Sequence, residues 1–288
     1  MKYRDRKGNE FTVDTTQDKF LRNLYTSRLG NIFLEFMISP FVTNVIGKFM
    51  NSRLSTLKID GFVHKNKIKM SDYERKHYSS YNDFFTRKIK KSKRPIDMNE
   101  NTFVSPSDGK VSVYPITKNL VVNIKNCDYS VKSLIRSTEL SEFYRNGWLY
   151  IIRLTVDNYH RYCYPDSGYQ YENIPLPGIY HTVNPVAVAH ASVYVENNRE
   201  YTVIDSDHFG RILQMEVGAM GVGRITNERE NCFVKKGQEK GYFEFGGSTI
   251  CLFVPHNCVS PCEDLVLNTM EDCETIVKMG EVIGYAKN

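Results

Sequence analysis

The chain predicts an α+β fold in which a strand-rich main domain follows N-terminal amphipathic helices, and three observations carry that expectation. Beyond about residue 80, short runs rich in Val, Ile and Tyr alternate with turn signals such as Asn146-Gly147, Asp166-Ser167-Gly168 and Pro177-Gly178, the rhythm of successive strands. Nineteen Tyr and 16 Phe in 288 residues add bulky aromatics suited to pleated, half-buried surfaces. From Lys19 to Met50 the apolar residues instead recur at helical spacing.

Phe20, Leu21, Leu24, Tyr25, Leu29, Ile32, Phe33, Phe36 and Met37 share one face of the first predicted helix, with Arg22, Asn23 and Ser27 opposite. Ser39-Pro40 reads as an N-cap with proline in the first turn. Phe41, Val42, Val45, Ile46, Phe49 and Met50 then form the face of a second helix. Glu35 and Pro40 interrupt the apolar stretch, so no spanning helix is expected. The two helices either pack on the main domain or lie in a bilayer interface, apolar side chains in the acyl boundary and lysines at the headgroups. Residues 1–75 are accordingly assigned as a membrane-associating helical segment and 76–288 as the strand-rich domain. Within the latter, helical pattern is confined to stretches such as Ser130–Ile135 and Glu139–Tyr144.

Charge supports the interfacial reading. Residues 65 to 94 hold eleven Lys and Arg against Asp72, Glu74 and Asp83, a local net charge of +8 in a chain whose total is +5. Such a block is a solvated face, a nucleic-acid patch or a contact with an anionic membrane surface. No aromatic ladder interleaves it, so nucleic acid is not expected as a partner. The seven cysteines form no CxxC pair, and Cys258 and Cys262 lack the second ligand pair that a zinc site needs. Without a secretory signal, reduced cytosolic thiols and no metal are expected. No Walker loop, dinucleotide fingerprint or HExxH occurs, which removes nucleotide and zincin functions.

Val104-Ser-Pro-Ser-Asp-Gly-Lys-Val111 and Val234-Lys-Lys-Gly-Gln-Glu-Lys-Gly-Tyr242 resemble the strand–turn–strand repeats of lipoyl and biotinyl carriers, and Gly280-Glu-Val-Ile-Gly284 echoes them. A barrel-sandwich-like arrangement is therefore expected in the main domain. A carrier module would be far smaller, and no lysine sits at a suitably flanked hairpin tip.

The segment richest in chemistry is Phe243-Glu-Phe-Gly-Gly-Ser-Thr249. Two glycines free the backbone for conformations closed to other residues. The Ser248 hydroxyl can then reach the Gly247 carbonyl, turning the amide into an ester by an N-to-O acyl shift. Elimination would cut the chain and leave dehydroalanine, which hydrolyses to a pyruvoyl group. The plainer alternative is a glycine-rich hairpin turn.

The surrounding motifs, in order, decide between these. Tyr81-Asn-Asp-Phe-Phe-Thr-Arg87 with Arg94-Pro95, Val104–Gly109, Tyr129-Ser-Val-Lys-Ser-Leu134, Tyr159-His-Arg-Tyr-Cys-Tyr-Pro165, Val183-Asn-Pro185, Glu216-Val-Gly-Ala-Met-Gly-Val-Gly223 and Lys236–Thr249 follow one another without a break. Together they resemble the phosphatidylserine decarboxylase family, over roughly residues 20 to 288. The resemblance implies a proenzyme that cuts itself between Gly247 and Ser248 into a beta chain, 1–247, and a pyruvoyl-capped alpha chain, 248–288, which remain associated. It implies a Schiff base between the Ser248-derived pyruvoyl group and phosphatidylserine, giving phosphatidylethanolamine and CO2 at the cytoplasmic face of the membrane. No side chain is an adequate electron sink for this decarboxylation; the pyruvoyl carbonyl is one, without pyridoxal phosphate or a metal. A homodimer is left open.

The resemblance also implies roles. Asp108 works with a histidine to activate the serine, although an Asp in a Ser-Asp-Gly turn is most often a loop cap. His160, otherwise a structural hydrogen-bonding residue, becomes the general acid/base. Many family members carry a second histidine three positions on, where this chain has Cys163. That duty falls to His160 alone, to Cys163, or to a residue such as His181 or His190. Thr249 either polarises the Gly247 carbonyl or is a strand hydroxyl, and Arg87 and Arg94 either meet lipid phosphate or sit exposed. The glycines of Gly218–Gly223 offer backbone N–H groups or close packing. No substrate-binding residue is assigned. Two other functions stay in view: a pyruvoyl decarboxylase of a soluble amino acid, and a non-cleaving carrier or scaffold.

Overall fold

The computed structural model describes residues 2–12, 27, 40–74, 76–124, 127–179, 193–219, 224–245 and 248–287. The fold is a strand-rich mixture of helix and sheet. Its spine is a sheet of ten described strands, in the order Cys232–Val234, Gly168–Leu176, Arg199–Ser206, Gly210–Val217, Ser248–Val254, Trp148–Leu154, Gly109–Pro115, Cys273–Val277, Lys2–Arg4 and Glu10–Thr12. Described neighbours are antiparallel except Lys2–Arg4 against Cys273–Val277, which is parallel.

Side chains of a strand alternate between faces, and the central strands obey this on both sides. Leu149 and Ile151 join Cys251, Phe253, Leu213 and Met215 in one apolar cluster. Tyr150, Ile152 and Leu154 join Ile250, Leu252 and Val254 in a second on the other face. These strands are buried on both faces, which is why they read as continuous apolar runs rather than alternating ones. The expected turn at Asn146-Gly147 is tight: Asn146 has φ +58°, and a Cβ on Gly147 would lie 2.1 Å from the Val254 carbonyl oxygen.

Two smaller sheets flank the spine. Ile225–Asn227, Glu239–Phe243 and Arg161–Cys163 form one; Val259–Pro261, Val282–Ala286 and Thr102–Val104 form the other. The carrier-like segments are thus not self-paired hairpins. Val104–Val111 passes from a small sheet at Thr102–Val104 into the spine at Gly109–Pro115, and Val234–Tyr242 leaves the spine for the other small sheet.

Of the expected helices, Ser130–Ile135 and Glu139–Tyr144 correspond to helices Val131–Ile135 and Thr138–Phe143. The helix expected at Lys19–Met37 and the Ser39 cap lie outside the described residues, Ser27 apart, whereas Pro40–Met50 is helical. Residues 2–12, assigned to the helical segment, are instead a strand pair on the edge of the spine. Three-residue strands are too short to leave a periodic signal.

Candidate functional site

Ser248 begins the central strand of the spine. Its Cα partner is Leu154 on one side, and Thr249 pairs with Val217 on the other and with Arg153. The strands Glu239–Phe243 and Ser248–Val254 belong to different sheets and are not paired with each other. Gly246 and Gly247 lie outside the described residues. Ser248 and Thr249 are both fully buried, and neither hydroxyl has a hydrogen-bond partner among the described residues. By strand alternation Ser248 shares the face of Ile250, Leu252 and Val254, while Thr249 lies on the opposite face with Cys251 and Phe253.

His160 precedes the strand Arg161–Cys163 and is fully buried. Its carbonyl accepts from the Phe243 amide at 3.0 Å, tying it to the strand that leads towards Ser248. Its ring lies 4.1 Å from the Phe85 ring, which in turn lies 5.4 Å from Phe245, three residues before Ser248. Nδ1 sits 3.0 Å from the Asn158 carbonyl oxygen, to which it donates, and Nε2 has no partner among the described residues. Burial, set against that hydrogen bond, lowers the imidazole pKa to about 3. At neutral pH the ring is therefore uncharged, with the Nε2 lone pair unengaged among the described residues.

Asp108 is buried and gripped by Arg94. Nε of Arg94 donates to Oδ1 at 2.6 Å, a second guanidinium nitrogen donates to Oδ2 at 2.5 Å, and the Met279 amide donates to Oδ1 at 3.0 Å. No hydrogen bond joins Asp108 to His160 among the described residues. Asp108 ends the turn into Gly109–Pro115, and its neighbour Lys110 pairs with Arg153, itself paired with Thr249. Asp108 and Ser248 therefore stand at the same end of the sheet, two strands apart, about 9.6 Å at the usual strand spacing.

Cys163 is buried, and burial pushes its thiol up to about 12. It is a thiol at neutral pH and a poor proton acceptor. It lines a cavity of about 610 Å³ together with Arg94, Tyr159, Arg161 and Glu239. His181 and His190 lie outside the described residues, as do Val183–Pro185 and Met220–Gly223. The Gly218 amide donates to Asn198 at 2.8 Å, a packing role.

Both arginines depart from expectation. Arg87 is 2% exposed, its guanidinium 4.4 Å from the Tyr73 ring centre and 4.6 Å from that of Phe84. Arg94 is occupied by Asp108. Neither is a free surface cation, because each is folded inward by the helix Tyr81–Phe85 and the segment after it. A buried pair also escaped the sequence. Lys240 donates to Glu216 at 2.9 Å and to Asn227 at 2.8 Å, both charged groups being fully buried. Burial raises the Glu216 pKa and lowers that of Lys240, each opposed by the partner's charge. Lys240 lies where the register of Glu239–Phe243 slips by one residue opposite Arg161–Cys163. Among the described residues no cluster of His, Cys, Asp and Glu is arranged to hold a metal ion.

The strand-rich domain thus carries a buried serine that follows a diglycine in sequence, and an uncharged buried histidine. Comparison with known proteins then places it. The profile of the family described as phosphatidylserine decarboxylase matches residues 81–285. The phosphatidylserine decarboxylase proenzyme 2 of Clostridium acetobutylicum is 44% identical over 265 residues, 92% of this chain and 91% of the relative. The phosphatidylserine decarboxylase proenzymes of Clostridium botulinum and Clostridium tetani are 38% and 39% identical, covering 100% and 99% of this chain and 100% and 98% of theirs. The chain belongs to the phosphatidylserine decarboxylase family, a family of carboxy-lyases.

Proposed function

We propose that this protein is a self-cleaving, pyruvoyl-dependent decarboxylase that converts phosphatidylserine to phosphatidylethanolamine and CO2. The observation that carries the proposal is Ser248: a fully buried hydroxyl without a partner among the described residues, following two glycines, in a chain that aligns end to end with relatives named proenzymes. A buried hydroxyl left unpaired costs about 1–3 kcal/mol, a cost that makes sense where the oxygen is held ready to react.

In the cut, Ser248 Oγ forms a bond to the Gly247 carbonyl carbon and the Gly247–Ser248 C–N bond breaks. His160 Nε2 takes the hydroxyl proton, and the freed amine takes one in turn. Loss of the Ser248 α-proton with departure of the Gly247 carboxylate yields dehydroalanine, which hydrolysis converts to the pyruvoyl cap with release of ammonia. That carbonyl supplies the electron sink that amino-acid decarboxylation requires. Asp108, fixed by Arg94, is the acidic member of the set. We assign both proton-transfer duties to His160, since burial keeps the Cys163 thiol protonated. Beta chain 1–247 and alpha chain 248–288 stay together through the central strand, whose seven residues are all buried.

We also propose that the protein sits peripherally on the cytoplasmic face of a membrane through the region ending near residue 75, without the strand pair 2–12. No described helix is long and apolar enough to cross a membrane. Leu54 and Leu57 are 70% and 84% exposed, between Arg53 and Lys58 and ahead of the basic block. This surface and the lipid-named relatives favour a lipid over a soluble amino acid. The carrier-like strand–turn–strand segments serve as crossings between layers, in the manner of a barrel-sandwich.

Intact-mass measurement with an activity assay tests the proposal. Wild-type protein is expected as two chains, the smaller resistant to Edman chemistry, releasing CO2 from phosphatidylserine. Ser248→Ala is expected as one inactive species. A single uncut 33.4 kDa chain in active wild-type material would overturn it.

A further inference from the structure

The cavity behind Cys163 is chemically divided. Its lining includes Lys88 and Lys91, both exposed, and neither ammonium has a carboxylate partner among the described residues. One wall is apolar, with Ile96, Met98 and Met279. Its other cations are already committed: Arg94 to Asp108, and Arg161 to Glu239 at 2.7 Å. Glu74 is the remaining lining acid. With Asp108 counted against Arg94, the lining holds an excess of one positive charge.

The cavity also borders the candidate chemistry without including Ser248. Tyr159 and Arg161, on either side of His160, line it, as does Arg94, which holds Asp108. About 610 Å³ accommodates a headgroup with its glycerol but not two acyl chains.

Resting on the function proposed above, we propose that this cavity is the subsite for the phosphodiester of the phospholipid, with Lys88 and Lys91 as its counter-cations. The single surplus charge matches a phosphodiester monoanion. The two exposed lysines meet the anion, and Ile96, Met98 and Met279 receive the glycerol and first methylenes. Ammonium groups on flexible stems bind such a group as point charges and tolerate variable geometry.

The test uses the processed wild-type protein and its Lys88→Gln/Lys91→Gln and Lys88→Arg/Lys91→Arg variants. Calorimetric titration with glycerophosphoserine, which lacks acyl chains, is expected to show about tenfold weaker binding for the Gln pair. The Arg pair should bind as wild type does. On phosphatidylserine in detergent micelles the Gln pair should raise KM by a similar factor and move kcat little. Equal glycerophosphoserine affinity in wild type and the Gln pair overturns the subsite. So does inorganic phosphate binding as tightly as glycerophosphoserine, which marks a free-phosphate site. Wild-type protein that neither cuts itself nor releases CO2 defeats the function proposed above instead, and the titration still reports on the cavity.

Discussion

Arg94 closes a two-pronged grip on Asp108, with donor–acceptor distances of 2.6 and 2.5 Å and side-chain exposures of only 14% and 7%. Fourteen residues apart in sequence, the pair pins the turn into Gly109–Pro115 against the segment after the basic block. The Met279 amide adds a third contact, from the alpha-chain side of the proposed cut. One carboxylate thus joins both future chains.

Removing one partner of a buried ion pair leaves an uncompensated charge. Arg94→Ala is expected to cost about 3–5 kcal/mol, read by urea unfolding of the uncut Ser248→Ala protein. Arg94→Lys keeps the charge but loses the fork, so it should fall between wild type and Ala. An Arg94→Ala protein as stable as its parent would show that Asp108 needs no counter-ion.

The His160 ring makes a pH prediction. In an unfolded chain imidazole binds its proton near pH 6.5; here it does not do so until about pH 3. The unfolded state therefore binds more protons between those values, so stability is fully present above about pH 6.5 and falls as pH drops towards 3. The slope is about 1.4 kcal/mol per pH unit. In the Ser248→Ala background, His160→Gln should flatten this part of the stability profile. An unchanged slope would mean that the ring is protonated in the fold.

Lys240 and Glu216 test a different cost. Lys240→Met alone strands a buried carboxylate and should destabilise by about 3–5 kcal/mol. The double variant Lys240→Met/Glu216→Gln should recover much of that, since no unpaired charge remains. If the double variant is the worse of the two, the pair itself is a net stabiliser.

Membrane contact is best tested without deleting the N-terminus, because residues 2–4 pair with Cys273–Val277 and truncation would strip the sheet edge. Leu54→Asn/Leu57→Asn removes two exposed apolar side chains instead. Vesicle sedimentation with anionic lipid should show binding at least several-fold weaker, while turnover of detergent-dispersed substrate is retained. Undiminished vesicle binding would return Leu54 and Leu57 to an ordinary solvent-facing role.

The strand-rich character was legible because turn residues and β-branched runs act locally, and so were the helices at Val131–Ile135 and Thr138–Phe143. Ser248, His160 and Asp108 were proposed only through ordered motifs, since no spacing rule links residues 108, 160 and 248. Arg94, Phe85 and the Lys240–Glu216 pair had no local signature: each acquires its meaning from a partner far along the chain. The edge strands at residues 2–12 were invisible for a related reason, three residues being too few to show a period.

By itself the sequence determined the family, the strand-rich composition and the candidate serine after its two glycines, because these reside in residue identity and order. Tertiary structure alone decided that the serine is sealed from water, that the histidine is held uncharged, that Cys163 is buried as a thiol, and which arginine holds the aspartate. Burial and pairing are properties of neighbours in space, and strand register sets those neighbours only once distant segments have met.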